Sequence, residues 1–295
     1  MMTVKLTQKK AAGQSDNGGS SRGMMRRVNA LSLNPTAISA RLTAQSRAIW
    51  QLVVKPVVTS TNDIVRDYDA KGEGHGVAVM AEEQTRGRGR RGRIWHSPAG
   101  ANLYCSSGWH FSGPVEALSG LSLSVGAMVA EAAMEVCGAD LQLKWPNDLY
   151  AGDQKVGGVL IEMLGVRDNA QSAVIGIGLN VSMSADDGAP IDRPWTDLAT
   201  ASGQDIDRNE LASAVLNQLA EGLVQIDQQG CVPWLNLWRQ RDYLKGRSIV
   251  IDGSPPVAGI AAGVSDSGAL LIETESGRQE VSGGEASVLE MGALR

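Results

Sequence analysis

The sequence predicts an α+β protein of two modules, a large domain of mixed strands and helices followed by a small β-barrel. Two stretches, residues 118–137 and 209–228, carry apolar side chains at helical spacing. β-branched and apolar runs, such as residues 50–58 and 173–181, predict strands of the same domain. From about Lys245 onward, short strands alternate with Gly and Asp-Ser-Gly turns, which is typical of a small barrel.

These patterns divide the chain into three segments. Residues 1–48 are predicted to be a disordered or weakly ordered tail, because SDNGGSS at residues 15–21 is polar and glycine-rich and apolar residues are sparse. Residues 49–244 form the large domain, and residues 245–295 form the barrel. Whether residues 1–24 belong to the native chain stays open, since two methionines follow as alternative starts.

Composition excludes several classes of protein. A hydrophobic content of 43% and a charged content of 20% are ordinary for a globular enzyme. The net charge of −5 argues against a protein that binds polyanions with its whole surface. The three cysteines, Cys105, Cys137 and Cys231, lie far apart without CxxC spacing, so we expect reduced core thiols rather than disulfides or a zinc site.

The same composition predicts a cytoplasmic protein that does not bind membranes. The most apolar stretch, residues 118–137, contains Glu131 and Glu135, and no uncharged run reaches the roughly 18 residues of a membrane span. The first residues, MMTVKLTQKK, do not resemble a secretory signal because they lack an apolar stretch and a small-residue cleavage site.

The most unusual segment is the arginine loop, residues 86–93 (RGRGRRGR). Its glycines match the G-x-G-x-x-G dinucleotide pattern, but the residues that follow predict a strand where that pattern requires a helix. Five arginines in eight residues repel one another, so we expect the loop to be poorly ordered alone and to fold over an anion. A solvated basic loop and an arginine-glycine contact to nucleic acid are the alternatives.

Five motifs in a fixed order carry a family resemblance. They are STN at residues 60–62, Gln84 with GRGRRGR at 87–93, KWPNDLY at 144–150, KVGGVLIE at 155–162 and GIGLN at 176–180. This succession is similar to the catalytic domain of bacterial biotin–protein ligases, and the resemblance extends from about Trp50 to the C-terminus. It implies a mixed sheet backed by helices, as in the biotin/lipoate ligase fold, followed by an SH3-like β-barrel.

The resemblance also implies a two-step reaction. Biotin and ATP, with Mg²⁺, would give biotinyl-5′-AMP and pyrophosphate, and a lysine of a biotin carboxyl carrier protein would then accept biotin and release AMP. A lipoate–protein ligase of the same fold is the alternative enzyme, although the GRGRRGR and KWPND motifs favour biotin. The family's mechanism uses no enzyme nucleophile, which agrees with the lack of a convincing Cys–His or Ser–His pair.

Carried over position by position, the resemblance assigns roles to fifteen residues. Lys155 and Arg90 would be catalytic, on the α-phosphate and on the carboxylate and phosphate, where ammonium and guanidinium groups suit the charge. The expected biotin-binding residues are Ser60, Thr61, Asn62, Gln84, Arg88, Gly89, Arg90, Lys155, Gly157 and Gly158. The expected ATP- or adenylate-binding residues are Arg88, Arg90, Lys144, Asn147, Asp148, Lys155, Asn180 and Trp195, with Asp148 also a candidate ligand of Mg²⁺.

Structural alternatives remain open for several of these positions. Ser60 or Thr61 can cap a helix, the Gly157-Gly158 pair can mark a strand bulge, and Asn147-Asp148 can form a turn. Trp195 is as compatible with a core position as with a stack on adenine.

The resemblance has one departure and one rival from another class. Many bacterial members carry an N-terminal winged helix-turn-helix, and the polar residues before Trp50 predict neither that DNA-binding domain nor repressor function. A nucleic-acid-binding protein that uses the arginine loop is disfavoured by the acidic net charge and by the lack of interleaved aromatic residues. Monomer and homodimer are both compatible with the sequence.

Overall fold

The large domain is built on a seven-stranded mixed sheet, in a computed structural model that describes residues 32–167 and 169–289. The strands are β1 (Gln51–Val58), β2 (Val77–Gln84), β3 (Asn102–Phe111), β4 (Gln142–Lys144), β5 (Asp148–Ala151), β6 (Gln154–Arg167) and β7 (Ala170–Asn180). Their spatial order is β1-β2-β3-β7-β6-β5-β4. Only the β1–β2 pair is parallel, so the mixed sheet predicted from the resemblance is confirmed.

Helices cover the sheet. They are α1 (Pro35–Arg41), α2 (Ala44–Ile49), α3 (Thr61–Ala70), α4 (Leu121–Cys137), α5 (Ala185–Gly188), α6 (Leu198–Ser202), α7 (Arg208–Gln229) and α8 (Val232–Gln240). The predicted helices are α4 and α7, whose apolar side chains belong to the main core. Gly138 ends α4 in the left-handed conformation, φ +64°, which glycine adopts without a steric penalty. A smaller core, centred on Val65 of α3, lies between that helix and the sheet.

The N-terminal segment differs from the predicted weakly ordered tail. Residues 32–49 contain α1 and α2, and the side chains of Leu33, Ile38 and Leu42 are buried in the main core. The reason is long-range packing against α7, where Ser213 Oγ donates to the Ile38 carbonyl at 3.1 Å. The rest of the predicted tail, residues 1–31, lies outside the described residues.

The C-terminal sheet is antiparallel, with β8 (Ser248–Ile251), β9 (Val257–Val264), β10 (Leu270–Thr274), β11 (Gly277–Val281) and β12 (Ala286–Val288). The strand order is β11-β10-β9-β8-β12. The short strands predicted from about Lys245 onward are present, and the last of them, β12, has only three residues. The predicted fold class, an α+β domain with an SH3-like barrel, is confirmed. The large domain contacts the barrel where the indole Nε1 of Trp145 donates to the Gly268 carbonyl at 3.1 Å.

Two features bear on the predicted cellular location. In the part of the chain described, residues 115–137 have the length and hydropathy of a membrane span, but 67% of their apolar window is buried inside the fold, as for a core helix. Cys105, Cys137 and Cys231 are free and buried, as the sequence predicts. Burial raises the pKa of the Cys105 thiol to about 12, which makes it unreactive.

Candidate active site

A cavity of about 1060 Å³ lies where α3, the arginine loop, β5 to β7 and the barrel meet. Fourteen of the fifteen residues assigned from the sequence line it, namely Ser60, Thr61, Asn62, Gln84, Arg88, Gly89, Arg90, Lys144, Asn147, Asp148, Lys155, Gly158, Asn180 and Trp195. Tertiary folding therefore brings the five separate motifs to one place.

One end of the cavity is lined by hydroxyl and amide side chains. Thr61 Oγ1 lies 2.6 Å from Ser106 Oγ, which donates to Asn62 Oδ1 at 2.6 Å. Gln84 Oε1 accepts from the Thr61 N–H at 2.9 Å and from Thr61 Oγ1 at 3.1 Å. The first-turn N–H of α3 is thus satisfied by β2, and Ser60, the residue before the helix, makes no capping bond. The capping alternative is therefore not used by Ser60.

This row of polar groups is held rigidly from behind. Asn62 Nδ2 donates to Glu162 Oε2 at 2.6 Å, and Gln84 Nε2 donates to Ser97 Oγ at 3.1 Å. The strand beneath is glycine at Gly176, where an added Cβ would lie 2.3 Å from Asn62 Oδ1. The row is pre-organised, so little rotamer entropy is lost when a ligand binds.

A second group of lining side chains is cationic. Lys155 Nζ donates to Asp148 Oδ1 at 2.6 Å, and the two side chains are only 13% and 20% exposed. Lys155 Nζ also lies 5.4 Å from the centre of the Trp95 ring. That ring packs on bare backbone, because a Cβ on Gly178 would approach it to 2.7 Å. Lys155 is therefore fixed by a carboxylate and an aromatic face, unlike a solvated turn lysine.

The arginine loop contains a short helical turn at Arg90–Gly92. Backbone bonds close it, with Gly89 N donating to the Arg93 carbonyl at 2.8 Å and Trp95 N donating to the Gly87 carbonyl at 2.9 Å. Arg88 makes a two-pronged ion pair with Asp63, at 3.1 and 2.7 Å. The carboxylates of the protein itself thus relieve the repulsion that the sequence predicts.

Two further arginines of the loop pair with carboxylates of the barrel. Arg91 donates to Asp252, and Arg93 donates to Glu285. Arg91 stands at φ +55°, the left-handed region that a non-glycine residue rarely adopts. Arg91 and Arg93 are therefore engaged by the protein.

Arg90 differs from Arg88, Arg91 and Arg93 because no ion pair engages it among the described residues. Its guanidinium lines the cavity, and Nη1 is buried without a hydrogen-bond partner among the residues described. Burial lowers the pKa of Arg90, while the nearby Glu285 charge acts in the opposite direction. A buried guanidinium N–H without an acceptor is unfavourable, so this group is suited to an anionic ligand. The indole Nε1 of Trp95 is a second buried donor without a described partner at the cavity.

The predicted adenine-binding residues, Asn180 and Trp195, both line the cavity. Asn180 is buried, and its Nδ2 donates to the Thr196 carbonyl at 3.0 Å. Trp195 is half-buried, with its ring against the backbone of Gly188 and its main chain bridged to Lys155. Trp195 is therefore neither fully in the core nor free.

Asn147 is held by hydrogen bonds, whereas Lys144 lies over an aromatic ring. Asn147 N donates to the Lys144 carbonyl at 3.2 Å, which closes a turn between β4 and β5, and Asn147 Nδ2 donates to the Val159 carbonyl of β6 at 2.8 Å. Lys144 Nζ lies 5.3 Å from the centre of the Tyr150 ring. Burial lowers the pKa of Lys144, with the Asp148 charge opposing.

Gly157 is the one assigned residue outside the cavity lining, and the sequence analysis does not single out Trp95, Ser106 or Glu285, which belong to that lining. Gly157 does not line the cavity, because a Cβ there would point into the core, 2.5 Å from the Leu179 side chain. Core packing and a nearby register shift between β5 and β6 explain this glycine. Trp95 could have been noticed as an aromatic residue directly after the arginine loop. No local signal distinguishes Glu285, which only the barrel's position brings to the cavity.

No group of three or more His, Cys, Asp or Glu side chains suited to a metal ion occurs among residues 32–167 and 169–289. A cation held by a single carboxylate together with substrate phosphates does not need such a group. Asp148, beside Lys155, is the cavity carboxylate that fits this arrangement.

Comparisons with known proteins agree with this geometry. Residues 54–180 match the Biotin/lipoate A/B protein ligase family, and residues 249–289 match the Biotin protein ligase C terminal domain. The bifunctional ligase/repressor BirA of Escherichia coli is 38% identical over 239 residues, which cover 80% of this chain and 74% of that protein. The biotin–[acetyl-CoA-carboxylase] ligase of Paracoccus denitrificans is 34% identical over 212 residues, covering 70% and 88%.

Solved structures of biotin protein ligases have a similar fold. The biotin protein ligase from Aquifex aeolicus, in complex with biotin and ATP, superimposes with a TM-score of 0.68 at 31% sequence identity. The match covers 81% of this chain and 99% of that one.

Proposed function

The chain belongs to the biotin–protein ligase family, and from this premise we propose how the side chains of its cavity carry out the reaction. The enzyme activates biotin with ATP to biotinyl-5′-AMP and transfers biotin to a lysine of a biotin carboxyl carrier protein. In the first step a carboxylate oxygen of biotin attacks the α-phosphorus, and the bond to the bridging oxygen breaks as pyrophosphate leaves. In the second, the lysine amine attacks the acyl carbon and AMP leaves.

The observation that carries the assignment of roles is the buried Nη1 of Arg90, which has no partner among the described residues and shares the cavity with Lys155. The biotin carboxylate and the α-phosphate repel each other, and both must come within bonding distance. Arg90 can donate two parallel hydrogen bonds to either anion from its planar guanidinium. Lys155 places a compact positive charge where negative charge develops on the phosphate. Both therefore lower the barrier by electrostatic stabilisation and positioning.

The row of hydroxyl and amide side chains that lines the cavity receives the ureido ring of biotin. That ring offers two N–H donors and one carbonyl acceptor, and hydroxyl and amide side chains can satisfy both kinds of group. Ser60, Thr61, Asn62 and Gln84 are the residues concerned, with Ser106 added by the structure. Because Ser60 has no capping bond, its hydroxyl is available to the ligand.

The adenine lies against Asn180 and Trp195. Asn180 Nδ2 is engaged with the Thr196 carbonyl, and Oδ1 has no partner among residues 32–167 and 169–289, so it can accept from the adenine amino group. Trp195 would stack on the base after its ring leaves Gly188. Arg88 has an indirect role, because Asp63 already occupies its guanidinium.

Mg²⁺ would neutralise charge on the ATP phosphates, and Asp148 is the carboxylate that would hold it. The carboxylate also orients Lys155 through the 2.6 Å ion pair. The free, buried cysteines and the requirement for ATP favour a cytoplasmic location.

The reaction is tested with purified protein, ATP, Mg²⁺ and biotin, followed by chromatography for biotinyl-5′-AMP. Parallel incubations with lipoate measure the alternative substrate of the fold. We expect adenylate with biotin and little with lipoate. Absence of any acyl-adenylate would refute the first half-reaction, and preference for lipoate would move the assignment to the related ligase. Adding a carrier domain with and without its acceptor lysine tests the second step.

A further inference from the structure

Lys144 is a cavity cation that forms no ion pair within the described parts of the chain. It is the last residue of β4, and its side chain lines the cavity. Lys155, by contrast, is paired with Asp148 at 2.6 Å, which neutralises part of its charge. A cation whose charge is not neutralised in this way is suited to the phosphates of ATP that leave as pyrophosphate.

Two stacked tyrosines support the ammonium group of Lys144. The ring centres of Tyr150 and Tyr243 are 4.8 Å apart, and the angle between the ring planes is 29°. Lys144 Nζ lies 5.3 Å from the centre of the Tyr150 ring and 6.0 Å from that of Tyr243. At such distances the negative face of an aromatic ring attracts a cation.

This attraction matters because the lysine is partly removed from water. Burial lowers the pKa of Lys144, and the charge of Asp148 opposes that shift. An ammonium group that loses hydration needs another favourable contact to remain charged. The tyrosine rings supply such a contact without cancelling the positive charge, as a carboxylate would do.

Tyr243 is held by the segment that joins the large domain to the barrel, between α8 and β8. Its N–H donates to the Leu143 carbonyl at 3.0 Å, so the segment lies along the edge strand β4 directly beside Lys144. Its hydroxyl donates to Asp153 Oδ1 at 2.8 Å. The guanidinium of Arg247 covers the ring, with Cζ 4.0 Å from the ring centre. Backbone, hydroxyl and ring face are therefore all engaged.

Tyr243 can act on the cavity only through its neighbours. It is 7% exposed and does not line the cavity, whereas Tyr150 and Lys144 do. It also lies between the two stretches that match family models, residues 54–180 and 249–289. Any contribution to the reaction must pass through the side chains that contact its ring.

We propose that Tyr243 is a positioning residue for the leaving pyrophosphate, because its ring, stacked on Tyr150, holds the ammonium of Lys144 toward the β- and γ-phosphates of ATP. The inference rests on the proposed function, since it requires ATP in the cavity. A lysine side chain that is already held loses less conformational entropy when the phosphates bind. The segment between the domains thereby contributes to ATP binding without touching ATP.

The first test compares variants in biotin-dependent ATP–pyrophosphate exchange. Tyr243→Leu should raise KM for ATP and for pyrophosphate about three- to tenfold, as expected for loss of a partly buried cation–ring contact, and leave KM for biotin unchanged. Tyr243→Phe keeps the ring and loses only the bond to Asp153, so both constants should stay within about twofold of the wild type. Tyr68→Leu removes a half-buried tyrosine that does not line the cavity and is the matched control.

The second test asks whether the ring acts through Lys144. Lys144→Ala alone should raise KM for ATP, and adding Tyr243→Leu should raise it no further. A tyrosine that only stabilised the fold would have its full effect in both backgrounds. Thermal unfolding checks each variant, and Tyr243→Met, with a flexible side chain that fills irregular gaps, replaces Tyr243→Leu if the latter does not fold.

Each outcome decides for or against the proposal. Wild-type KM for ATP and pyrophosphate in a folded Tyr243→Leu protein would overturn it, as would additive effects with Lys144→Ala or an equal rise in KM for biotin. If the wild type makes no acyl-adenylate, the proposed function fails, and calorimetric titration with inorganic triphosphate then decides the role of Tyr243. Weaker binding by Tyr243→Leu than by the wild type would support that role, whereas equal or absent binding by both proteins would refute it.

Discussion

Replacing Lys155 with alanine is expected to reduce the rate of biotinyl-5′-AMP formation by about 10²- to 10³-fold. An ammonium about 4 Å from a phosphate charge contributes about 4 kcal/mol at an effective dielectric constant near 20. Asp148, 2.6 Å from Lys155 Nζ, already neutralises part of that charge. The net loss is therefore about 3–4 kcal/mol, and the Asp148 carboxylate is left to repel the phosphates.

The assay is biotin-dependent exchange of pyrophosphate into ATP at saturating substrates, so that kcat is measured separately from KM. Lys71→Ala removes an exposed lysine just after α3 and serves as the matched control, with unchanged exchange expected. Thermal unfolding of each variant checks that the fold persists. Wild-type exchange by a folded Lys155→Ala protein would show that the ammonium does not stabilise the transition state.

Three further changes test other parts of the site. Arg90→Gly should release biotinyl-5′-AMP into solution and label lysines of bystander proteins, because the buried guanidinium that holds the anion is gone; adenylate release and off-target biotin are measured. Gly178→Ala should push the Trp95 ring aside, destabilise the fold by about 1–3 kcal/mol and raise KM for biotin, seen in denaturant titration and kinetics. Hydrogen bonds from Arg88 hold the pKa of Asp63 below its usual 3.8. The ion pair should therefore stabilise the protein above that pH and lose its effect as the pH falls through the lowered pKa. The free energy of unfolding, compared with that of Asp63→Asn across pH, measures this.

Each of these has a control. Arg86→Gly changes an exposed arginine of the same loop that does not line the cavity, and equal leakage from it would contradict the role of Arg90. Gly126→Ala adds a Cβ at ordinary contact distance, 3.7 Å from Leu143, and should leave KM unchanged. A stability difference for Asp63→Asn that stays constant down to acidic pH would refute the ion-pair argument.

Much of the cavity could be predicted because most of its functional side chains belong to short sequence motifs. The order of Ser60 to Asn62, the arginine loop, Lys144 to Asp148 and Lys155 indicates the ligand classes, and fourteen of the fifteen assigned residues line one space. Gly157 lies outside the cavity lining, and a glycine in a motif does not reveal whether its missing side chain makes room for a ligand or for the core. The N-terminal helices were missed because their few apolar residues gain stability only from tertiary packing, against α7 and β1.

By itself the sequence determined the types of element, the family and the side chains available for chemistry, because helical and strand periodicity and motif order are local properties. Only the tertiary structure decided which arginines of the loop are paired and that the buried Nη1 of Arg90 has no partner among the described residues. The reason is that a charge is satisfied by its nearest partner in space. For Arg91 and Arg93 those partners, Asp252 and Glu285, stand more than 150 residues further along the chain.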